Sequence, residues 1–251
     1  MGKVNCTYNY RGTGRQVFYD SETYEIIHIN APVFYKNDFL GIATDETNDV
    51  ATSEEGTANA VSIASEITNG YVRINTGTAV DKRNVISGPL ILEAENELIW
   101  QCKLHTTTSD ANLLLFAGLS DAKNEASGKI ALKDSSLASG SIDAWADDLV
   151  GFGVRAETSD NIYAVSCKAA GTPQTTDTGT DLVLTTDYIL EVILDSDGKA
   201  KYYLDGALVA THTAAITATD ALCWTVQALI TAGSTAALID VDYVLVGQNR
   251  S

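Results

Sequence analysis

The sequence predicts an all-β protein: an antiparallel jelly-roll β-sandwich preceded by an extended N-terminal β arm. Three observations predict it. Residues 187–212 read as a three-stranded meander whose tight turns are Asp195-Ser196-Asp197-Gly198 and Asp205-Gly206. Residues 239–243 alternate apolar and acidic side chains, the signature of a half-buried strand. Turn signals recur every ~8–12 residues with little helical periodicity between them, as in sandwiches and jelly rolls.

Size and composition agree. At 251 residues the chain reaches the length at which one hydrophobic core stops growing, so one large domain with a small appendage is expected. Hydrophobic residues make up 45% and charged residues 20%, which is ordinary for a globular domain. Thr, Val and Ala recur while Pro occurs only 3 times, which favours strands. The 33 acidic and 16 basic residues give a formal charge of −17. Such a field repels phosphate backbones and anionic lipid, so neither nucleic acid nor membrane is expected as a partner. No apolar run approaches the ~20 residues of a bilayer span. Residues 1–6 lead into a polar stretch without the apolar core of a signal peptide, so first folding in a cytoplasm is expected. Cys6, Cys102, Cys167 and Cys223 are widely spaced with no C-x-x-C pair, and are expected as thiols.

Along the chain, the first 19 residues carry Lys3, Arg11 and Arg15 and no acid, a charge of +3 that leaves −20 for the rest. Gln16–Tyr19 and Tyr24–Ile29 are β-prone runs about a polar turn. Residues 44–59 are small and acidic and read as a linker. The expected division is therefore an arm and linker over 1–56 and a sandwich domain over 57–251. Within the domain Leu98, Trp100, Cys102 and Leu104 share a strand face, residues 112–119 form an apolar run, and Val150, Phe152 and Val154 alternate with glycines. Residues 161–168 form the next strand, residues 171–181 read as a loop, and a short helix is expected near 122–131. Tyr188, Leu190, Val192 and Leu194 line one face of the first meander strand. In the closing strand Ile239, Val241, Tyr243 and Leu245 are expected to point one way, with Asp240 and Asp242 pointing the other.

Tyr188-x-Leu190-x-Val192, Asp197-Gly198, Tyr202-Tyr203-Leu204-Asp205-Gly206, Leu208-Val209 and the closing Ile239-Asp240-Val241-Asp242-Tyr243-Val244 resemble the concanavalin A-like lectin/glucanase superfamily in its laminin-G-like form. The resemblance implies the jelly-roll fold over residues 57–248. It says little of function, because that fold serves lectins, hydrolases, adhesion modules and virion proteins. An N-terminal β arm, then Asn37-Asp38-Phe39-Leu40-Gly41, then such a sandwich also looks like structural proteins of tailed bacteriophages.

The sharpest catalytic pattern is Glu93-Ala94-Glu95-Asn96-Glu97. Alternating acids on one strand face serve glycosidases of this fold as nucleophile and acid/base. The centre here is Glu rather than the family's Asp, and apolar alternation begins only at Leu98. These acids are therefore expected to be a solvated edge, and no catalysis is expected. His28, His105 and His212 lack metal-ligand spacing, and no phosphate loop, nucleophile elbow or dinucleotide fingerprint occurs. No cofactor is called for. Structural calcium among Asp143, Asp147 and Asp148 fits the acid content.

The resemblances imply a virion structural protein, a bacteriophage capsid decoration or cement protein held through its arm. Lys3, Arg11, Arg15, Phe18 and Tyr19 are the expected partner-binding residues. The major capsid protein or other virion subunits are the implied partners, and a homo-oligomer is expected on a symmetric shell. The alternative is a carbohydrate-binding module or a head- or tail-fibre adhesin, with Asn112, Asp160, Asn161 and Tyr163 as sugar-holding residues.

Overall fold

The computed structural model describes residues 4–9, 16–20, 26–28, 33–37, 51–54, 60–63, 71–80, 83–88, 91–108, 112–121, 146–156, 159–233 and 235–249, up to residue 60 as backbone alone. Among them are nineteen strands. They are β1 (Val4–Asn9), β2 (Gln16–Asp20), β3 (Ile26–His28), β4 (Val33–Asn37), β5 (Ala51–Glu54), β6 (Ala60–Ile63), β7 (Val72–Asn75), β8 (Arg83–Ser87), β9 (Leu92–Glu93) and β10 (Leu98–Thr108). They continue with β11 (Leu113–Ser120), β12 (Leu149–Arg155), β13 (Ser159–Cys167), β14 (Gln174–Asp181), β15 (Tyr188–Leu194), β16 (Ala200–Leu204), β17 (Ala207–His212), β18 (Ala221–Ile230) and β19 (Leu238–Gln248).

Sheet I runs β17-β16-β15-β10-β19-β7-β6, with β4 also beside β19, and sheet II runs β14-β13-β12-β11-β18-β8-β5, with β9 beside β18. The main strand pairs are antiparallel, for example β10 with β15 and β19, and β11 with β12 and β18. The chain changes sheet between β7 and β8, β10 and β11, β14 and β15, and β17, β18 and β19, which is the predicted jelly-roll sandwich. β1, β2 and β3 make a sheet of their own. β4 and β5, in the stretch read as arm and linker, are hydrogen-bonded into sheets I and II. Residues 122–131, read as a helix, lie outside the described residues.

The core between the sheets is built by alternation. Leu98, Trp100, Cys102 and Leu104 of β10 meet Leu115, Phe152, Val226 and Trp224 of sheet II, all at most 3% exposed. Burying side chains of this size is worth about 1.5–3 kcal/mol each. The meander lies where expected. Gly198 turns it at φ +73°, and Asp205 (φ +48°) and Gly206 (φ +85°) both take the left-handed backbone that a two-residue hairpin turn needs. Asp195 Oδ1 accepts the N–H groups of Asp197 and Lys199, so this aspartate closes a turn.

Two expectations about strands are corrected. Residues 174–181, read as loop, form the edge strand β14. Its sequence, QTTDTGTD, has no apolar face because one side of an edge strand meets water, and its pairing with β13 supplies what composition does not. The two edge strands are clasped by a buried polar group. His212 of β17 contacts Ser166 Oγ of β13 (2.9 Å), Tyr202 OH of β16 (3.1 Å) and Thr176 Oγ1 of β14 (3.1 Å).

The second correction concerns β19. Lys103 pairs with Tyr243 but Leu104 with Val241, so Asp242 is an extra residue, a β-bulge. Val241 and Val244 both face the core. The bulge reverses the phase of the strand, so Tyr243 and Leu245 leave the core side on which strict alternation put them.

Candidate functional site

The bulge makes the outer face of sheet I chemically distinct. Because β10 turns Leu98, Trp100, Cys102 and Leu104 inward, it presents Gln101, Lys103 and His105 outward. By the same alternation β7 presents Arg73, β15 presents Ile189 and Glu191, and β16 presents Tyr203. The bulge adds two adjacent side chains, Asp242 and Tyr243.

The charged groups form one lattice across β7, β19 and β10, joined by Asp187 just before β15. The Arg73 guanidinium grips Asp240 with both ends of its fork, Nε to Oδ1 at 2.7 Å and Nη2 to Oδ2 at 2.8 Å. The Asp240 carboxylate is fully buried. Lys103 Nζ reaches Asp242 at 2.9 Å and Asp187 at 3.1 Å. Burial alone would lower the Lys103 pKa, but the bonds to Asp242 and Asp187 outweigh it and raise it, so the ammonium stays charged. His105 Nδ1 lies 2.9 Å from Asp187 and Nε2 lies 3.5 Å from Asp240. The Tyr71 ring meets the His105 ring edge-on at 5.3 Å. Burial, then the Asp242 charge, pushes the Tyr71 phenol up.

A second row crosses the strands beside the first. Tyr243 OH donates to Gln101 Oε1 at 2.9 Å, and Gln101 Nε2 donates to Glu191 Oε2 at 2.8 Å. Tyr203 is the cross-strand neighbour of Glu191, and Leu208, 56% exposed, is that of Tyr203. Glu191 itself is buried and accepts from the Gln101 amide. What this face offers a ligand is phenol rings (Tyr71, Tyr243, Tyr203), a carboxylate 48% exposed (Asp187) and amide and carboxylate acceptors. That combination, ring faces beside hydrogen-bond acceptors, suits a polyhydroxylated ligand.

The described residues on the outer face of sheet II are mostly apolar, with the Asn161–Asp177 pair at its edge. Leu114, Phe116, Leu149, Tyr163, Val165 and Leu229 form a second apolar cluster there, each at most 6% exposed. Among the described residues no group of three His, Cys, Asp or Glu side chains converges to hold a metal ion.

The residues singled out in the sequence fare unequally. Lys3, Arg11, Arg15 and Asp143 lie outside the described residues. Phe18 and Tyr19 lie on β2, paired with Ile27 and Ile26 of β3, with their side chains outside the description. Glu93, Glu95 and Glu97 do not share a strand face: β9 ends at Glu93, residues 94–96 form a 3-10 turn, and Glu97 takes φ +51°. Glu93 accepts from Asn96 at 3.3 Å and Glu97 from Asn249 at 2.8 Å. Asp148 is buried, its carboxylate taken up by Thr217 N–H, Thr217 Oγ1 and Ala169 N–H, while Asp147 is exposed. Of the sugar-holding residues, Tyr163 is buried and Asn161 bonds Asp177 at 2.6 Å, so they make no common site. Lys103, His105, Asp187 and Arg73 were not foreseen. The outward phase of residues 101, 103 and 105 was a usable signal, but the pairing of Arg73 with Asp240, 167 residues apart, had none.

No protein-family model matches the chain, and no curated protein does. Solved structures do. The likeness is one of fold. A protein of unknown function from Shewanella oneidensis MR-1 matches at 17% identity and TM-score 0.59, over 87% of this chain and 88% of that one. A Bacillus licheniformis beta-glucanase matches at 8% identity and TM-score 0.54, over 86% and 98%. The carbohydrate recognition domain of Emp47p matches at 10% identity and TM-score 0.52, over 81% and 90%. All three likenesses are of the sandwich fold, in line with the fold that the resemblance at residues 188–244 implies. The expectation that the chain has no catalytic activity does not stand. A glucanase is built on this same sandwich, and a scaffold shared with an enzyme gives no ground for excluding chemistry.

Proposed function

We propose that the chain binds carbohydrate through the outer face of sheet I, centred on Lys103. The observation that carries this is the convergence of Tyr71, Tyr243, the exposed Asp187 carboxylate and the Gln101 amide on one face, two of them delivered by the β19 bulge and its neighbour strand. The likeness of fold to a carbohydrate recognition domain and a glucanase supports the ligand class. A glycan array followed by calorimetric titration tests it. Tyr243→Ala and Asp187→Ala weaken binding by about tenfold each, a loss near 1.4 kcal/mol. An array without a single ligand overturns it.

A second reading places the chain on a virion as a capsid decoration protein anchored by residues 1–19. Its support is the charge split, +3 in those residues against −20 in the rest, which suits a basic arm docking on an acidic neighbour. Co-sedimentation with capsids tests it. Full binding without residues 1–19 removes the arm from the mechanism.

A further inference from the structure

We infer that residues 174–177 of β14 are a proton-released flap: a positive charge on His212 lifts them from β13 while the rest of the sandwich stays folded. The device sits at the edge between the two sheets and does not depend on what the outer face of sheet I binds.

The segment is separable from its surroundings. Gln174, Thr175, Thr176 and Asp177 pair in register with Ser166, Val165, Ala164 and Tyr163, but the next pair is Asp181 with Asn161. The β14 side therefore carries extra residues there, a bulge, and Gly179 sits in it at φ +71°, a freedom suited to a hinge. Past the bulge the chain is tied down. Thr178 Oγ1 donates to the Ile162 carbonyl at 2.7 Å, Leu182 N–H to that of Asp160 at 2.7 Å, and Tyr188 OH to that of Asp181 at 2.8 Å. The flap itself, Gln-Thr-Thr-Asp, has no apolar side chain to bury. Its ties across to β17 and the residue after it are Thr176 Oγ1, 3.1 Å from His212 Nε2, and Gln174 Nε2, which donates to the Thr213 carbonyl at 2.9 Å.

The trigger follows from what surrounds the imidazole. His212 is 4% exposed. The groups that face it are hydroxyls: Ser166 from β13, Thr176 from β14 and Tyr202 from β16, with the Phe152 ring of β12 against Tyr202. Burial raises the Tyr202 phenol, so it stays neutral. Cys167, Asp177 and Lys201 each adjoin one of these residues and so lie on the far side of their strands. Asp177 is also occupied, by Asn161 at 2.6 Å and by the Gly179 N–H at 2.7 Å. A proton on the ring costs no hydrogen bond, because the Thr176 hydroxyl can turn and accept from Nε2–H. It costs hydration, with no carboxylate to replace the water. Burial accordingly pushes the His212 pKa down to about 4. Lifting the flap is the least costly way to admit water. It breaks ladder hydrogen bonds that water replaces, and it withdraws no apolar side chain of its own from the core.

The test is hydrogen exchange of the full chain at pH 7 and pH 5.5, followed by residue, corrected for the intrinsic chemical rate, and repeated in low urea. Protected amides of residues 163–166 and 174–177 lose about tenfold in protection between the two pH values, as a ring that titrates near 6.5 when hydrated and about 4 when covered requires. Their exchange does not respond to low urea, whereas amides of β10 and β18 exchange through urea-dependent global opening. His212→Gln removes the acid response at the flap. Thr176→Asp, which gives the imidazolium a counter-ion, removes it too; circular dichroism confirms that each variant is folded. Exchange at 174–177 with the urea dependence of β10 overturns the inference, because the flap then opens only with the whole sandwich. So does local opening that pH leaves unchanged, or an acid response that survives both substitutions.

Discussion

His212 and Ser166 meet between the two sheets, Nδ1 to Oγ at 2.9 Å, although one belongs to β17 and the other to β13. Tyr202 OH donates to the Val165 carbonyl at 3.0 Å, so its lone pair is left to accept from His212 Nδ1–H. Nε2 then accepts from Thr176 Oγ1. This network assigns the neutral Nδ1–H tautomer.

Burial pushes the His212 pKa down to about 4 from an ordinary 6.5. The unfolded chain therefore binds a proton in the window between them that the folded chain does not. Stability is intact above pH 6.5 and falls as the pH drops toward 4, by at most about 3 kcal/mol. Urea unfolding at pH 7 and pH 4.5 reads this. His212→Leu destabilises the protein at pH 7 and removes this part of its pH dependence.

Asp121 works in the opposite sense. Burial, with the Asp148 and Asp147 charges, raises its carboxyl to about 6 from 3.8. Its stabilising contribution is complete below pH 3.8 and is lost as the pH rises through 6. Asp121→Asn therefore raises stability at pH 7 by about 1–2 kcal/mol, after discounting for its partial exposure, and changes nothing at pH 3.5. Melting temperatures of the two proteins at both pH values provide the check.

Gly118 and Gly151 face each other in register on β11 and β12. A Cβ on Gly118 would overlap the Val150 carbonyl oxygen, and one on Gly151 the Ala117 carbonyl oxygen. Backbone cannot move aside as a flexible side chain does. Gly118→Ala and Gly151→Ala each cost about 1–3 kcal/mol, measured by denaturant unfolding.

Arg73→Met leaves the fully buried Asp240 carboxylate without its bidentate partner. The cost is about 3–5 kcal/mol. Pairing it with Asp240→Leu recovers most of that loss, since two apolar groups need no counter-charge. Unfolding of the two single variants and the double variant gives the coupling energy directly.

Local signals carried much of the fold. The meander was legible because its turns are short and depend on Gly198, Asp205 and Gly206 alone. Trp100 was legible as core because alternation marks it, and it is 0% exposed. β14 was not, since an edge strand of Thr and Asp has no apolar face to betray it. The site was hidden by the bulge at Asp242: a period-two reading assumes unbroken register, and one extra residue turns Tyr243 from core to surface. The acidic run 93–97 has the spacing of a strand face, but apolar alternation begins only at Leu98, and the chain there makes a turn that ends at Glu97 with φ +51°.

β19 is an interior strand of sheet I, with β10 along one side and β7 and β4 sharing the other. The sheet cannot close until residue 248 has left the ribosome. Until then β10, β7 and β4 wait with bare edges, each able to pair with a neighbouring nascent chain. Such distant partners also make assembly slow. Yield in a cell will therefore track chaperone supply and translation speed more closely than the stability of the finished sandwich.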